Sequence, residues 1–267
     1  MKCRNVMKVF CCQHDIAWEN KVATHARIRS LLADVESPPG SLLVFAEMFS
    51  TGFSIEVPVI AEGAARASEH FLAGLAKERG IFVEGGVVST GADGRGRNEA
   101  VIFSPEGREI ARYCKMQPFT LGGEMAAFSA GDSPAIFAWG DCRVAPFICY
   151  DLRFPEIFRP VARAGVELIT VIASWPDARL GQWVKLLQAR AIENQCYVAG
   201  VNRVGSDPHL HYSGRSIVVD FRGEIIADAA DREGIISAEL DLPSLAQYRR
   251  DLPFLADIRE ETIWRIS

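Results

Sequence analysis

The stretch FICYDLRFPE, residues 147–156, combines the end of an apolar run, a cysteine and a cluster of charged residues. An apolar run over residues 145–148 ends at Cys149, and the charged residues Asp151 and Arg153 follow at once. The run predicts a buried strand. Because free cysteine is among the most frequently buried residue types, Cys149 alone predicts one more small core residue. A reactive thiol becomes the better interpretation only if other strands end in groups that complete its chemistry.

The sequence around this stretch alternates between apolar runs and segments with helical spacing, so strands and helices are predicted in turn. Gly80 ends a helical segment, and Gly107 lies in the turn of a hairpin. The strand patterns cover residues 6–12, 41–47, 81–89, 97–115, 133–151, 166–174, 196–205 and 214–229, and the helical patterns cover residues 20–35, 65–80, 154–165 and 181–195. This order, without a linker or a repeat, predicts a mixed sheet covered by helices in a single domain over residues 1–267.

The last part of the chain, from about residue 243 to residue 267, differs from the rest. It is charged, shows no clean period and contains apolar residues that look exposed, among them Leu252, Phe254 and Trp264. We expect this tail to pack at the interface with a second subunit, and a segment that docks on its own chain is an equal alternative.

The charge and hydropathy of the chain argue against several classes of protein. The net charge is −5, which disfavours nucleic acid or an anionic membrane as a partner. No apolar stretch approaches the ~20 residues of a transmembrane helix, and the first residues do not form a signal-peptide pattern. We therefore expect a soluble, cytoplasmic protein.

The seven cysteines are irregularly spaced, and no C-x-x-C motif is present. This spacing indicates neither a zinc site nor a thioredoxin-like motif. In a reducing cytoplasm the thiols stay free, and most are expected to be small buried residues. The adjacent pair Cys11 and Cys12 lies beside His14, but this set is too small for a complete metal site. We expect neither a metal nor an organic cofactor.

Three predicted strands end in groups that can act on an acyl carbon, namely Glu47, Lys115 and Cys149. In sheets with parallel strands, ligand sites lie beyond the carboxyl ends of the strands, so the three side chains could meet in one pocket. Glu47 could accept the thiol proton, since a free thiol is mostly protonated at neutral pH. Lys115 and the backbone N–H of Tyr150 could stabilise the negative oxygen of a tetrahedral intermediate.

The residues around these three side chains resemble the motifs of the nitrilase superfamily of carbon–nitrogen hydrolases. VFAEMFSTGF (residues 44–53) is similar to the glutamate motif, RYCKMQPF (residues 112–119) to the lysine motif, and residues 147–156 to the cysteine motif. Later segments, including ASWP, LLQARAIENQCYVAGVNRVG and HYSGRSIVVDFRGEIIA, resemble the family in the same order. The resemblance covers nearly the whole chain.

The resemblance implies an α/β fold, a four-layer α-β-β-α sandwich, that forms a homodimer or a higher homo-oligomer. It implies hydrolysis of a non-peptide C–N bond in a small amide by water through a thioester. Matched by position, Glu47 is the general base, Lys115 the oxyanion donor and Cys149 the nucleophile. A second family glutamate matches Glu124, which would orient substrate, water and Lys115, and a loop carboxylate without a role is its alternative.

Within the superfamily, CYDLRFPE and EMFSTGF resemble the ω-amidase branch. That branch removes the terminal amide from small 2-oxo dicarboxylate monoamides, such as 2-oxoglutaramate, and releases ammonia. The substrate carboxylate requires a cation, and Arg153 is the nearest in sequence, although it could instead pair locally with Asp151 or Glu156. The aromatic candidates for the pocket wall, which could equally be core residues, are Phe49, Phe53 and Trp175.

Other functions remain open from the sequence. An aliphatic amidase, a nitrilase or an N-carbamoyl amino acid hydrolase of the same superfamily would use the same catalytic groups. A cysteine–histidine enzyme would need an imidazole near Cys149, and His209 and His211 lie in a polar loop, but the glycines of a glutaminase elbow are absent. A non-catalytic binding or redox-sensor protein would use the thiol without Lys115 or Glu47.

Overall fold

The structure is a computed structural model that describes residues 7–259. The strands are β1 (Met7–Gln13), β2 (Leu42–Val44), β3 (Phe82–Thr90), β4 (Gly96–Phe103), β5 (Glu109–Cys114), β6 (Phe137–Trp139), β7 (Cys142–Ile148), β8 (Leu168–Ala173), β9 (Tyr197–Asn202), β10 (Val204–Ser206), β11 (His211–Ser213), β12 (Ile217–Val219), β13 (Ile225–Asp228) and β14 (Gly234–Leu240). The α-helices are α1 (Lys21–Leu32), α2 (Val57–Ile60), α3 (Ala67–Arg79), α4 (Glu124–Ala127), α5 (Pro155–Arg163), α6 (Leu180–Asn194) and α7 (Leu242–Asp251). Among these described helices, none is long and apolar enough to cross a membrane.

Two mixed sheets of six strands form the centre of the fold. The first has the order β14-β1-β2-β3-β4-β5, and the second has the order β13-β12-β9-β8-β7-β6. In each sheet three adjacent strands are parallel, β1-β2-β3 in the first and β7-β8-β9 in the second, and the outer strands are antiparallel. The carboxyl ends of these parallel strands are where ligand sites form in such sheets.

The two sheets pack face to face, and helices cover their outer faces. Residues from β1 and β2 share one core cluster with residues from β7, β8 and β9, and α5 and α6 contribute to that cluster from the far side of the second sheet. A second cluster joins the other face of the first sheet to α1 and α3. The predicted four-layer α-β-β-α sandwich is therefore confirmed.

The adjacent cysteines of β1 illustrate how the strand serves both clusters. Val9 and Cys11 belong to the cluster between the sheets, whereas Phe10 and Cys12 belong to the cluster under α1 and α3. Successive side chains of a strand point to opposite faces, so both faces of this strand are buried. Burial raises the pKa of Cys11 to about 12, which is consistent with the predicted role of small core residues.

Most of the predicted elements are confirmed, together with the turns that join them. Helix α3 ends where Gly80 adopts a φ of 65°, and the β4–β5 hairpin turns at Gly107, with a φ of 73°. Glycine takes this left-handed conformation without a steric cost. Strand β2 is shorter than expected, since it ends at Val44 and Glu47 lies in the loop beyond it.

The part of the tail that the structure describes contains a regular helix, although its sequence shows no clean period. Helix α7 begins at Leu242, where the side chain of Asp241 accepts a hydrogen bond of 3.0 Å from Ser244 N, a normal N-terminal cap. Arg249 of this helix donates to the carbonyl oxygens of Val166 and Gln195, so α7 docks on its own chain. Residues 260–267 lie outside the described part, and packing against a second subunit stays a prediction.

Candidate active site

Three predicted site residues lie just beyond strands, and their side chains meet between the two sheets. Glu47 follows β2, Lys115 directly follows β5, and Cys149 directly follows β7. The Nζ atom of Lys115 lies 2.9 Å from Oε1 of Glu47. Burial raises the pKa of the Cys149 thiol, the neighbouring carboxylate of Glu47 raises it further, and the ammonium of Lys115 lowers it. The three groups predicted from strand ends therefore share one site.

Glu124, the fourth predicted residue, joins the same cluster from the start of α4. Its Oε2 atom accepts a hydrogen bond of 2.8 Å from Lys115 Nζ, so the ammonium bridges two buried carboxylates. Burial alone would lower the pKa of Lys115, but Glu124 and Glu47 outweigh it and raise the pKa well above its usual value. Lys115 is therefore a permanent cation at neutral pH.

Asn98 of β4 holds the two carboxylates together, and the sequence analysis missed it. Its Nδ2 group donates hydrogen bonds of 2.8 Å to both Glu47 and Glu124. Its backbone carbonyl accepts from the amide of Lys115 at 2.8 Å, which ties β4 to the lysine segment. The available signal was a buried amide at the start of β4, in the strand next to the one that leads to Lys115.

Two backbone amides complete the coordination of the carboxylates. Ser174 N donates to Oε2 of Glu47 at 2.9 Å, and Phe119 N donates to Oε2 of Glu124 at 2.6 Å. Ser174 follows β8, and Phe119 lies in the loop after β5 as the last residue of the lysine motif, so the loops after two different strands contribute. Hydrogen bonds to charged carboxylates are short and strong, and they fix the position of both groups.

Cys149 adopts a backbone conformation that is unusual for a side chain other than glycine. Its φ is 47°, in the left-handed region, at the first residue of a 3₁₀ turn (Cys149–Arg153). Such strain is found mainly at functional positions. Burial and the Glu47 carboxylate raise the pKa of the thiol well above its usual value, against the opposing effect of Lys115. The thiol is consequently protonated at neutral pH and needs a base to react.

Asp151 connects the cysteine turn to the lysine segment. Its carboxylate accepts hydrogen bonds from Tyr113 Oη at 2.8 Å, from Ile148 N at 2.9 Å and from Gln117 N at 2.9 Å. Burial raises its pKa to about 7, and Lys115 opposes that shift. Asp151 thus fixes the two strand ends relative to each other, which the sequence analysis did not foresee.

A cavity of about 260 Å³ opens beside Cys149. The predicted substrate-contacting residues Phe53, Arg153 and Trp175 line it together with Tyr150. Phe49 does not, since it is fully buried in the cluster under α1 and α3. The further lining residues, which the sequence analysis missed, are Phe119, Leu121, Gly122, Ser174, Pro176, Arg179, Leu210 and Tyr212.

The histidines considered for a cysteine–histidine mechanism lie in other surroundings. His211 is exposed, and its Nδ1 atom lies 2.5 Å from a carboxylate oxygen of Asp177. His209 is also exposed and packs edge-on against Trp18. The charged groups that shift the pKa of the Cys149 thiol are Glu47, Lys115 and Glu124, after burial as the main cause. Within residues 7–259, no group of three or more His, Cys, Asp or Glu side chains is arranged to hold a metal ion.

Comparisons with known proteins agree with this geometry. Residues 8–250 match the family model described as carbon-nitrogen hydrolase. The chain is 33% identical over 254 residues to the 2-oxoglutaramate amidase of Bacillus subtilis, an alignment that covers 95% of this chain and 98% of that protein. It is 34% identical over 264 residues to the omega-amidase YafV of Escherichia coli, with 97% and 99% coverage.

Solved structures are similar over the same length. A CN-hydrolase superfamily protein from Xanthomonas campestris, with an arsenic adduct in its active site, has a TM-score of 0.90 at 30% identity and covers 98% of this chain and 100% of its own. An amidase mutant from Nesterenkonia, with the acetamide moiety of fluoroacetamide added to its active-site cysteine, has a TM-score of 0.84 at 26% identity, with 97% and 96% coverage.

Proposed function

The chain belongs to the carbon-nitrogen hydrolase family, and from that premise we propose that it removes the terminal amide from a small amide that carries a carboxylate, releasing ammonia. The substrate class is a 2-oxo dicarboxylate monoamide such as 2-oxoglutaramate. One observation carries the proposal: the buried cluster of Glu47, Lys115 and Glu124 lies beside the Cys149 thiol. The names of the Bacillus and Escherichia relatives support the substrate class.

The first half of the reaction forms a thioester. The substrate amide oxygen faces Lys115 Nζ and the backbone N–H of Tyr150, which stabilise the developing oxyanion. The sulfur of Cys149 attacks the amide carbon while Glu47 takes the thiol proton. Glu47 then gives this proton to the amide nitrogen, the C–N bond breaks and ammonia leaves. A base is required because the thiol is neutral in the resting enzyme.

The second half hydrolyses the thioester. A water molecule enters the space that ammonia has left, and Glu47 takes one of its protons as the oxygen attacks the thioester carbon. The C–S bond breaks, the free acid forms, and the proton returns to Cys149. Glu124 holds the ammonium of Lys115 and orients the water throughout. This cycle uses no metal and no organic cofactor.

Arg153 receives the carboxylate of the substrate. Its guanidinium lies 4.7 Å from the centre of the Trp175 ring and donates to Gln182 Oε1 at 2.8 Å. Among residues 7–259, no carboxylate forms an ion pair with it, whereas the oxygens of Asp151 accept from Tyr113 and from backbone amides. The guanidinium therefore keeps donors for an anionic ligand. Phe53 and Trp175 form apolar parts of the same wall.

The experiment is an ammonia-release assay across 2-oxoglutaramate, neutral aliphatic amides, nitriles and N-carbamoyl amino acids, with Cys149→Ala as the blank. We expect the highest kcat/KM for 2-oxoglutaramate. A higher kcat/KM for a neutral amide, a nitrile or a carbamoyl compound would move the enzyme to another activity of the family. If no compound yields ammonia that depends on Cys149, the proposal is refuted.

Two variants separate this mechanism from its rivals of other classes. Alanine at both His209 and His211 is expected to leave turnover intact, whereas a cysteine–histidine enzyme would lose it. Lys115→Ala is expected to abolish turnover, whereas a redox sensor would keep its thiol chemistry without this lysine. The pair of results therefore distinguishes the buried cluster from an imidazole or an isolated thiol.

We also propose that the protein works as a homodimer or a higher homo-oligomer, with the tail from about residue 243 at the interface. Leu252 and Phe254 support this, because their side chains are exposed on the isolated chain beside α7. Sedimentation analysis of the wild type and of Leu252→Ser/Phe254→Ser tests it. A monomeric wild type, or an oligomer unchanged by the double substitution, would contradict the proposed interface.

The cytoplasm is the compartment in which we propose that the enzyme acts. Cys11, Cys12, Cys142 and Cys196 are buried free thiols, and Cys149 must be reduced to attack an amide. Cell fractionation with an antibody against the chain tests the location. Recovery in an oxidising compartment would contradict it.

A further inference from the structure

The charged side chains that line the cavity beside Cys149 are of one sign. Arg153 and Arg179 both line it, and no Asp or Glu of the described chain is among the lining residues. Arg153 alone would suffice for a simple carboxylate. The second arginine needs a separate explanation, since Arg179 ends a 3₁₀ turn (Asp177–Arg179) directly before α6, where the sequence resembles an ordinary loop and helix start.

Arg179 is held at the cavity by contacts with aromatic residues. Its guanidinium lies 5.5 Å from the centre of the Phe119 ring, and the side chain is only partly buried. Its carbonyl oxygen accepts a hydrogen bond of 2.9 Å from the indole N–H of Trp175. Because the face of that same indole carries Arg153, Trp175 connects the two arginines. Within residues 7–259, no carboxylate forms an ion pair with Arg179.

The two aromatic rings are anchored to the catalytic carboxylates. Phe119, whose ring contacts the guanidinium of Arg179, donates its backbone N–H to Glu124. Trp175, whose ring contacts the guanidinium of Arg153, directly follows Ser174. The backbone N–H of Ser174 donates to Glu47. Each arginine is therefore placed by a short, hydrogen-bonded path from the cluster around Cys149. Such an arrangement can position the distal end of a substrate relative to its reacting carbon.

We propose that Arg179 is a second specificity-determining residue, which together with Arg153 forms an arginine pair that binds the carboxylate end of the amide substrate. This inference rests on the proposed amidase function and deepens it. A guanidinium offers a planar fork of donors that matches a carboxylate, and a 2-oxo acid presents an additional oxygen beside it. Two guanidinium groups can satisfy these oxygens, whereas a neutral amide satisfies neither group.

The test compares glutaramate, which carries a carboxylate, with pentanamide, which has the same chain length and none. For Arg179→Gln, the ratio of kcat/KM for glutaramate to kcat/KM for pentanamide is expected to fall about 10- to 100-fold, as for the loss of a hydrogen bond to a charged group. Arg179→Lys keeps the charge without the fork and should lose less. Arg108→Gln, at an exposed arginine of the β4–β5 turn, is the matched control and should leave the ratio unchanged.

A fall of kcat/KM by the same factor for both substrates, or no fall for glutaramate, would overturn the proposal. Binding of glutarate to Cys149→Ala, measured by calorimetry, separates this result from a failure of the amidase function. If the wild type releases no ammonia but glutarate binds at least about 10-fold more weakly after Arg179→Gln, the arginine pair stands and the reaction is wrong. Absent or unchanged glutarate binding would refute the arginine pair itself.

Discussion

The Nζ atom of Lys115 lies 2.9 Å from Oε1 of Glu47, and both side chains are buried. A second carboxylate, Glu124, lies 2.8 Å from the same ammonium. The cluster therefore has one cation and two carboxylates in a place where water cannot screen them. The neighbouring Cys149 thiol stays neutral because burial and Glu47 raise its pKa by more than Lys115 lowers it.

Removing the cation is expected to cost stability as well as activity. Lys115→Met leaves two buried carboxylates without a cation, and we expect the free energy of unfolding to fall by about 3–5 kcal/mol. The double variant Lys115→Met/Glu124→Gln should recover part of that loss without recovering turnover. Urea denaturation and the ammonia assay check both outcomes. Lys185→Met, at an exposed lysine of α6, is the control, and a fully stable Lys115→Met would contradict the prediction.

Asn98 is expected to act as a positioning residue. Asn98→Leu keeps the approximate size but removes both hydrogen bonds to the carboxylates, so Glu47 and Glu124 lose the side chain that links them. We expect kcat to fall about 100-fold, as for misplacement of a catalytic group, while KM changes little. Asn98→Asp should be worse, because it adds a third carboxylate. Steady-state kinetics would refute the role if KM rose with kcat unchanged.

Cys149 is expected to show no thiolate in the resting enzyme. Because burial and Glu47 raise the pKa of this thiol, the absorbance at 240 nm of the wild type minus that of Cys149→Ala should stay near zero up to about pH 9. The other cysteines cancel in the difference. A thiolate signal already present at neutral pH would mean that Lys115 dominates and that a resting ion pair, not a base, activates the thiol.

Glu84 of β3 is expected to make stability depend on pH without a role in the reaction. Its side chain is buried between the sheets and accepts from Thr170 Oγ1 at 2.9 Å, and burial raises its pKa from an ordinary 4.5 to about 8. Between pH 4.5 and about pH 8, the Glu84 carboxyl loses its proton in the unfolded chain but keeps it in the folded chain. The group therefore lowers the free energy of unfolding by about 1.4 kcal/mol per pH unit across that window.

The substitution Glu84→Gln removes this dependence. The free energy of unfolding of Glu84→Gln minus that of the wild type should rise from pH 5 to about pH 8 and then level off, as measured by urea denaturation. Glu36→Gln, at an exposed glutamate, is the control and should give a constant difference. A constant difference for Glu84→Gln as well would show that the folded and unfolded states bind this proton equally.

The long helices and strands with a clear hydrophobic period could be predicted from the sequence. The three-residue strands β10 and β11 and the edge strand β14 could not. Strands such as β7 and helices such as α3 have long apolar patterns and clear end signals, so their existence is evident locally. The hairpin of β10 and β11 consists of two three-residue strands, and β14 lies at a sheet edge beside β1. The strands of this hairpin are too short to show a pattern of alternating side chains, and the pairing of β14 depends on β1, at the other end of the chain, which a local pattern does not reveal.

The candidate catalytic groups Glu47, Lys115 and Cys149 could be predicted from the sequence alone, because each lies at or just beyond the end of an apolar run and within a segment that resembles a family motif. The contacts that hold these groups, and the other residues that line the cavity beside Cys149, became evident only in the three-dimensional structure. Asn98 contacts Glu47 and Glu124, and Arg179 stacks on Phe119, across separations that no helical or strand period spans. Hydrogen bonds and charge placement of this kind arise when the sheets pack, so their partners are set by three-dimensional proximity rather than by neighbouring residues.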